Sequence, residues 1–165
     1  MKHGGFTLIE VLVVVAIVGI LAGIGLVNYS RWRASSTVMD GAQQFAQAIN
    51  AVRTGVKKAN ACWQLSLGST SASNMQYQVR RYSTPTCPAT AVPLQTQLYT
   101  LPGGTRLVLL DASGAPTSTD RPINFVPPYG TTDASPNTYA VRWAANTDIQ
   151  RKVRVTSVLG KVIVK

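Results

Sequence analysis

The hydrophobic and polar positions divide the first sixty residues into two parts. The first part is an uncharged apolar run, Val11–Val27, which Phe6–Ile9 extends toward the N-terminus with Glu10 between them. A helix over Phe6–Val27 would be roughly 33 Å long at about 1.5 Å per residue, enough to cross the hydrocarbon core of a bilayer. The pattern therefore predicts a membrane-spanning helix with one carboxylate near its end.

Beyond this run the pattern becomes amphipathic. Apolar residues recur at steps of four and three, which places them on one stripe of a helix: Val38, Ala42, Phe45, Ile49, Val52 and Val56. No proline precedes Pro85, so nothing breaks the helix earlier. We predict one helix over Phe6–Ala59, whose second half packs on a sheet.

The rest of the chain alternates with period two between turn signals, which is typical of strands. The predicted strands are Met75–Tyr82, Gln97–Leu101, Thr105–Leu110, Ile123–Val126, Thr138–Ala145, Arg151–Val158 and Lys161–Val164. The last two form a hairpin around Leu159 and Gly160. The predicted fold class is α+β, a long N-terminal helix packed on an antiparallel β-sheet head.

The formal charge is +10, from 16 basic and 6 acidic side chains. A basic balance favours an anionic partner such as DNA, acidic glycans or lipid head groups. A surface that is simply soluble and cationic explains the same composition, and the net charge alone does not distinguish between these interpretations.

Residues 4–10, GGFTLIE, resemble the leader of a type IV pilin precursor: a short basic segment ending in glycine, an aromatic residue, Thr-Leu-Ile-Glu and an apolar helix. The resemblance implies that a prepilin peptidase cuts between Gly5 and Phe6 and methylates the new Phe6 amine. It also implies that Glu10 meets the Phe6 amine of a neighbouring subunit during assembly. The alternative is a plain secretory signal or membrane anchor, but the apolar run is long and no Ala-x-Ala site follows it.

This resemblance divides the chain into a cleaved leader (1–5), a transmembrane and assembly helix (6–29) and a globular head (30–165). The implied partners are other pilin subunits, the inner membrane and the prepilin peptidase. Lys2 precedes the apolar run and Arg31 and Arg33 follow it, so a count of basic residues alone would place the head in the cytoplasm. We follow the resemblance, which places the head outside and the assembled filament at the cell surface or in the periplasm.

The second half resembles GspH/FimT-type minor pilins in three segments. Residues 123–131 (INFVPPYGT) are similar to that family's hydrophobic-x-Phe-x-Pro-x-Gly segment. Residues 151–162 are similar to its closing strand and Gly-Arg-Val turn, and residues 51–60 are similar to the end of its helix. Lys161 stands where arginine is usual, and Pro128 is an extra proline. The apolar stretch also lacks the proline usual in major pilins, which favours a minor subunit of a type IV pilus or of a type II secretion pseudopilus.

Cys62 and Cys87 are the only cysteines. The implied position outside the cytoplasm allows a disulfide to persist, and without a nearby histidine the pair is a poor metal site. A bridge would close a loop of about 25 residues and would stabilise the fold by roughly 3–4 kcal/mol in the chain-entropy model.

Catalytic chemistry is not indicated. His3, the only histidine, lies in the leader, so no nucleophile–histidine pair remains after cleavage. The aspartates are scattered without metal-ligand spacing. We therefore expect no enzyme activity, no cofactor, no metal and no small-molecule substrate.

The terminal hairpin supports an alternative function. Lys152, Arg154 and Thr156 fall on one face of the predicted strand and the valines between them on the other. Arg151 flanks the strand, and Lys161 and Lys165 follow across the turn. Such a stripe could contact several phosphates without recognising bases.

The FimT side of the resembled family binds DNA through basic residues near this turn. The resemblance therefore implies DNA binding in natural transformation as the alternative function. An ordinary solvated strand face, whose lysines protect a sheet edge, explains the same pattern.

Overall fold

The structure is a computed structural model that describes residues 7–68, 75–87, 91–117, 121–132, 137–156 and 158–165, without the side chain of Val27. Within these residues one helix, α1 (Leu8–Ala59), precedes all the strands. The strands are β1 (Trp63–Leu67), β2 (Gln76–Arg81), β3 (Gln95–Thr100), β4 (Thr105–Leu110), β5 (Pro116–Thr117), β6 (Ile123–Val126), β7 (Thr131–Thr132), β8 (Asn137–Trp143), β9 (Gln150–Thr156) and β10 (Lys161–Val164). The predicted helix and fold class are confirmed, although Phe6 lies outside the described residues.

The chain forms two compact units, Met1–Ala34 and Ser35–Lys165. The described part of the first unit is entirely helical from Leu8. The second unit contains the rest of α1 and all ten described strands.

The strands of the second unit form two antiparallel sheets. The first sheet has the order β3-β2-β1-β6-β7 and the second β10-β9-β8-β4-β5. In the second sheet β8 pairs with β4 over Thr105–Leu110 and with β9 over residues 150–155. The two predicted strands Thr105–Leu110 and Arg151–Val158 are thus separated by one intervening strand.

The predicted helical stripe is the centre of the core. Val38, Ala42, Phe45, Ile49, Val52 and Val56 are all buried. The Phe45 ring makes edge-to-face contacts with Tyr77 of the first sheet and Tyr139 of the second, each with ring centroids 5.1 Å apart. Burial, and then the neighbouring Tyr99 hydroxyl, raise the pKa of Tyr77 to about 12, so this phenol stays neutral. One aromatic side chain of the helix therefore joins both sheets.

The sequence did not predict three of the strands. β1 pairs with β2 on one side and β6 on the other. Its sequence did not predict a strand because its glutamine and serine resemble the polar segment that follows. β5 and β7 have two residues each, too few to show a period. Four predicted ends were also too late: β2 ends at Arg81, β3 at Thr100, β8 at Trp143 and β9 at Thr156. Ser157 lies outside the described residues.

Cys62 and Cys87 form a disulfide with their Cα atoms 5.4 Å apart. Cys62 is also held through its backbone: its N–H donates to Thr84 O at 2.7 Å, and its carbonyl accepts from Tyr82 N at 2.9 Å. The bridge therefore attaches the segment after β2 to the residues that directly follow the helix.

Candidate functional site

The helix of the first unit presents a continuous apolar surface. Its large aliphatic side chains between Leu8 and Leu26 are between 49% and 83% exposed wherever their side chains are described. By length and composition this helix could cross a membrane. Water solvates an uncovered apolar surface of this size poorly.

Glu10 lies in the first turn of this helix, exposed among valines. Its backbone N–H donates to Thr7 O at 3.1 Å and is 3.4 Å from Thr7 Oγ1. Thr7 thus occupies the N-cap position and Glu10 the third helical position, the spacing of a capping box. The carboxylate also complements the positive end of the helix dipole. Sequence reasoning missed this helix-starting role of Thr-Leu-Ile-Glu, although the capping-box spacing could have indicated it.

The cleavage residues predicted from the leader, Gly5 and Phe6, lie outside the described residues. The structure therefore places Glu10 but not the amine with which the resemblance pairs it. A shallow depression beside Glu10 is lined by Val11, Val14 and Val15, so the carboxylate has an apolar surrounding on the helix surface.

The terminal hairpin has the two faces that the sequence predicted. Val153 and Val155 are buried in the core, while Lys152 and Arg154 are exposed. Lys165 stands opposite Lys152, and their backbones exchange two hydrogen bonds of 2.8 Å. Lys161 is exposed at the other end of β10, opposite Thr156.

The basic face extends beyond the hairpin. Gln150 of β9 stands opposite Arg142 of β8, which stands opposite Arg106 of β4. Arg142 Nε donates to Gln150 Oε1 at 3.0 Å. We call the outward cations of the second sheet the basic face; they are Arg106, Arg142, Lys152, Arg154, Lys161 and Lys165. Sequence reasoning missed the two arginines because only strand pairing brings them beside the hairpin.

Arg151 does not belong to the basic face. It stands opposite Val141, whose side chain is in the core, and is itself half-buried. Its Nη1 donates to the carbonyl of Gln150 at 3.2 Å. Strand alternation therefore turns Arg151 to the opposite side from Lys152 and Arg154.

The three segments that resemble minor pilins meet at one place. A Cβ on Gly130, whose φ is +66°, would lie 2.8 Å from Arg53 Cγ and Arg53 O. A Cβ on Gly160, at φ +62°, would lie 3.2 Å from Phe125. Thr132 N also donates to Val158 O at 2.8 Å. Glycine is needed at both positions because each has a positive φ and lies so close to a neighbouring residue that a Cβ atom would crowd it.

Within the part of the chain that the structure describes, no group of three or more His, Cys, Asp or Glu side chains could hold a metal ion. The arrangement consists of an apolar helix, a basic sheet face and a disulfide.

A long N-terminal helix with an antiparallel β head is the pilin fold, and comparisons with known proteins agree. Residues 1–26 match the family model described as the prokaryotic N-terminal methylation motif. The type IV minor pilin FimU of Pseudomonas aeruginosa is similar in structure, with a TM-score of 0.54, 13% identity, and coverage of 78% of this chain and 87% of FimU. The minor pseudopilin EpsH from the type 2 secretion system of Vibrio cholerae gives a TM-score of 0.51, 14% identity, and coverage of 78% and 95%.

A comparison with curated protein sequences finds no match. The methylation motif matches residues 1–26, and the similarity to solved pilin and pseudopilin structures shows the fold. The resemblance first found in residues 4–10 is thereby confirmed.

Proposed function

We propose that this protein is a minor pilin or pseudopilin, a structural subunit of a type IV pilus or type II secretion filament. The observation that carries the proposal is Glu10 in the first turn of an uncovered apolar helix, within the methylation motif matched over residues 1–26. A prepilin peptidase cuts between Gly5 and Phe6 and methylates Phe6, and Glu10 then pairs with the Phe6 amine of a neighbouring subunit. The proposed organisation is a leader (1–5), an assembly helix (6–29) and a head (30–165).

We also propose a cellular location for this subunit. The apolar helix anchors the subunit once in the inner membrane, with the head outside the cytoplasm, before assembly into a filament in the periplasm or at the cell surface. The exposed apolar side chains support an anchor that passes from lipid to neighbouring helices. The disulfide supports a head in an oxidising compartment.

We further assign the head to the GspH/FimT-like minor subunits. The convergence of Gly130 with Arg53 and of Gly160 with Phe125 supports this assignment. The three segments are far apart in sequence yet fit together with little space, so their residue types depend on one another.

Replacing Glu10 with valine tests the structural role. The variant should reach the membrane at the normal level, because the change makes the helix more apolar. Its entry into filaments should fall roughly tenfold or more, because the cationic Phe6 amine of the neighbour loses its partner. An unpaired charge in apolar surroundings costs about 2.5–3.5 kcal/mol, and each 1.4 kcal/mol is tenfold. The measurement is quantitative immunoblotting of membrane and sheared-filament fractions.

The matched control is Val13→Ile, an exposed apolar change in the same helix. It should enter filaments like the unmodified chain. Normal incorporation of Glu10→Val would refute the charge-pairing role.

A second candidate function is DNA binding during natural transformation. The observation that favours it is the basic face, where Lys152, Arg154 and Lys165 are exposed and strand pairing adds Arg106 and Arg142. Several cations on one sheet face suit phosphate contacts without base recognition. Its binding should depend on salt, because each neutralised phosphate releases counterions.

Charge removal on this face tests DNA binding. The full mature chain in micelles of a neutral detergent should shift labelled duplex DNA at low salt. Binding should decline with a log–log salt slope of about −3 if three phosphates are contacted. The variant Lys152→Gln/Arg154→Gln/Lys161→Gln should lose binding.

The matched control, Lys57→Gln/Lys58→Gln/Arg151→Gln, removes the same charge outside the basic face and should retain binding. Arg151 is suited to this control because it points away from that face. Undetectable binding at low salt, or equal loss in both variants, would reject the proposal.

A further inference from the structure

The outward side of the second sheet contains a cavity beside the basic strand. Leu110, Thr138 and Arg154 stand opposite one another on β4, β8 and β9. The short Thr138 side chain between two larger ones leaves a depression. The turn at residues 111–114 and Arg121 form its far wall, and its volume is about 620 Å³.

Part of the cavity lining is apolar. Leu109, Leu110 and Ala112 contribute to it beside the polar and charged lining residues. An occupant of the cavity would therefore contact apolar side chains as well as the cations at its rim.

The rim is positively charged. Arg121, Lys152 and Arg154 line the cavity and are exposed. Asp111 is the one carboxylate among the described lining residues. Its Oδ1 accepts hydrogen bonds from Ser113 Oγ at 2.6 Å, Ala115 N at 2.8 Å and Ser113 N at 2.9 Å. The Ser113 hydroxyl, followed by the backbone of Ala115, lowers the pKa of Asp111. Three cations against one engaged carboxylate favour an anionic occupant.

A second copy of this chain is a poor occupant. Removing Lys2 with the leader leaves 15 of the 16 basic residues, and excluding Glu10 of the helix leaves 5 of the 6 acidic ones in the head. Two such heads repel each other at contact distance, within the Debye length of about 8 Å at physiological salt.

Duplex DNA is also a poor occupant of this cavity. Its phosphates lie on the outside of a wide rigid cylinder, which contacts a stripe of cations but does not enter a concave site. A protruding protein loop with carboxylates and apolar side chains fits both the cationic rim and the apolar part of the lining.

We infer that this cavity is the docking site for an acidic, partly apolar loop of a different subunit of the same filament. The inference rests on the proposed function as a filament subunit. It makes this strongly basic chain a subunit that pairs with an unlike neighbour and not with itself.

The test compares two single substitutions of equal charge. The probe is a short fluorescent peptide of glutamates and leucines, and its binding to the full mature chain in neutral detergent is measured by anisotropy. Arg121→Gln should weaken binding by about tenfold, because Arg121 lines the cavity and a hydrogen bond to a charged group is worth roughly one factor of ten or more. Lys161→Gln, outside the lining, should change it less than about twofold.

A gain-of-binding variant keeps the test independent of folding defects. Asp111→Asn retains an oxygen acceptor for Ser113 and Ala115 but removes the repelling charge. It should bind the peptide about two to three times more tightly. Equal loss from Arg121→Gln and Lys161→Gln, no peptide binding, or displacement of the peptide by duplex DNA at lower concentration than by unlabelled peptide would overturn the inference.

Filament fractions separate the two proposals. Absence of the unmodified chain from filaments would refute the filament role while leaving the peptide result intact. Its presence in filaments, together with peptide binding that does not depend on Arg121, would refute only the docking site.

Discussion

Replacing Gly5 with arginine is expected to leave the chain uncut, unmethylated and absent from filaments. The physical reason is twofold. A peptidase specific for this leader must accommodate the residue before the cut, where glycine has no side chain. Without cleavage the Phe6 nitrogen remains an uncharged amide, so Glu10 of a neighbour has no cation to pair with in an apolar surrounding.

Intact-mass spectrometry of the purified membrane protein measures this outcome directly. The unmodified chain should lack Met1–Gly5 and gain one methyl group, whereas Gly5→Arg should retain the whole leader. His3→Ala is the matched control in the leader, and it should be processed normally. A Gly5→Arg chain of mature, methylated mass would refute the leader assignment.

Replacing Phe45 with alanine is expected to lower the free energy of unfolding of the head by about 3–5 kcal/mol. Phe45 is fully buried and contacts Tyr77 and Tyr139 edge to face, so its removal leaves a cavity where the helix meets both sheets. The free energy of unfolding of a native protein is typically about 5–15 kcal/mol, so this loss is a large share of it.

Denaturant unfolding of the full mature chain in neutral detergent measures this change. The fluorescence of Trp63 and Trp143, which pack against the core, reports the transition when Trp32 is replaced by phenylalanine in every variant. Gln43→Ala, at an exposed position of the same helix, is the control and should change stability by less than about 0.5 kcal/mol. A Phe45→Ala chain as stable as that control would contradict the central position of this ring.

The sequence predicted what depends on contiguous residues. The length of the apolar run, the leader motif and the stripe from Val38 to Val56 follow from neighbours at fixed spacing in one helix. The same holds for β4, β6 and β10, whose bounds agree with the predicted strands. Alternation also placed Lys152 and Arg154 on the outward face, because period two fixes the sides of a strand.

The tertiary structure decided which strands are neighbours, because alternation defines two faces but not the partner at either edge. Pairing of β4 with β8, and of β8 with β9, brings Arg106 and Arg142 beside Lys152. It likewise creates the cavity that Arg121 lines. These residues lie tens of positions apart in the chain, so hydrogen bonding between strands and burial against α1, not local spacing, bring them together.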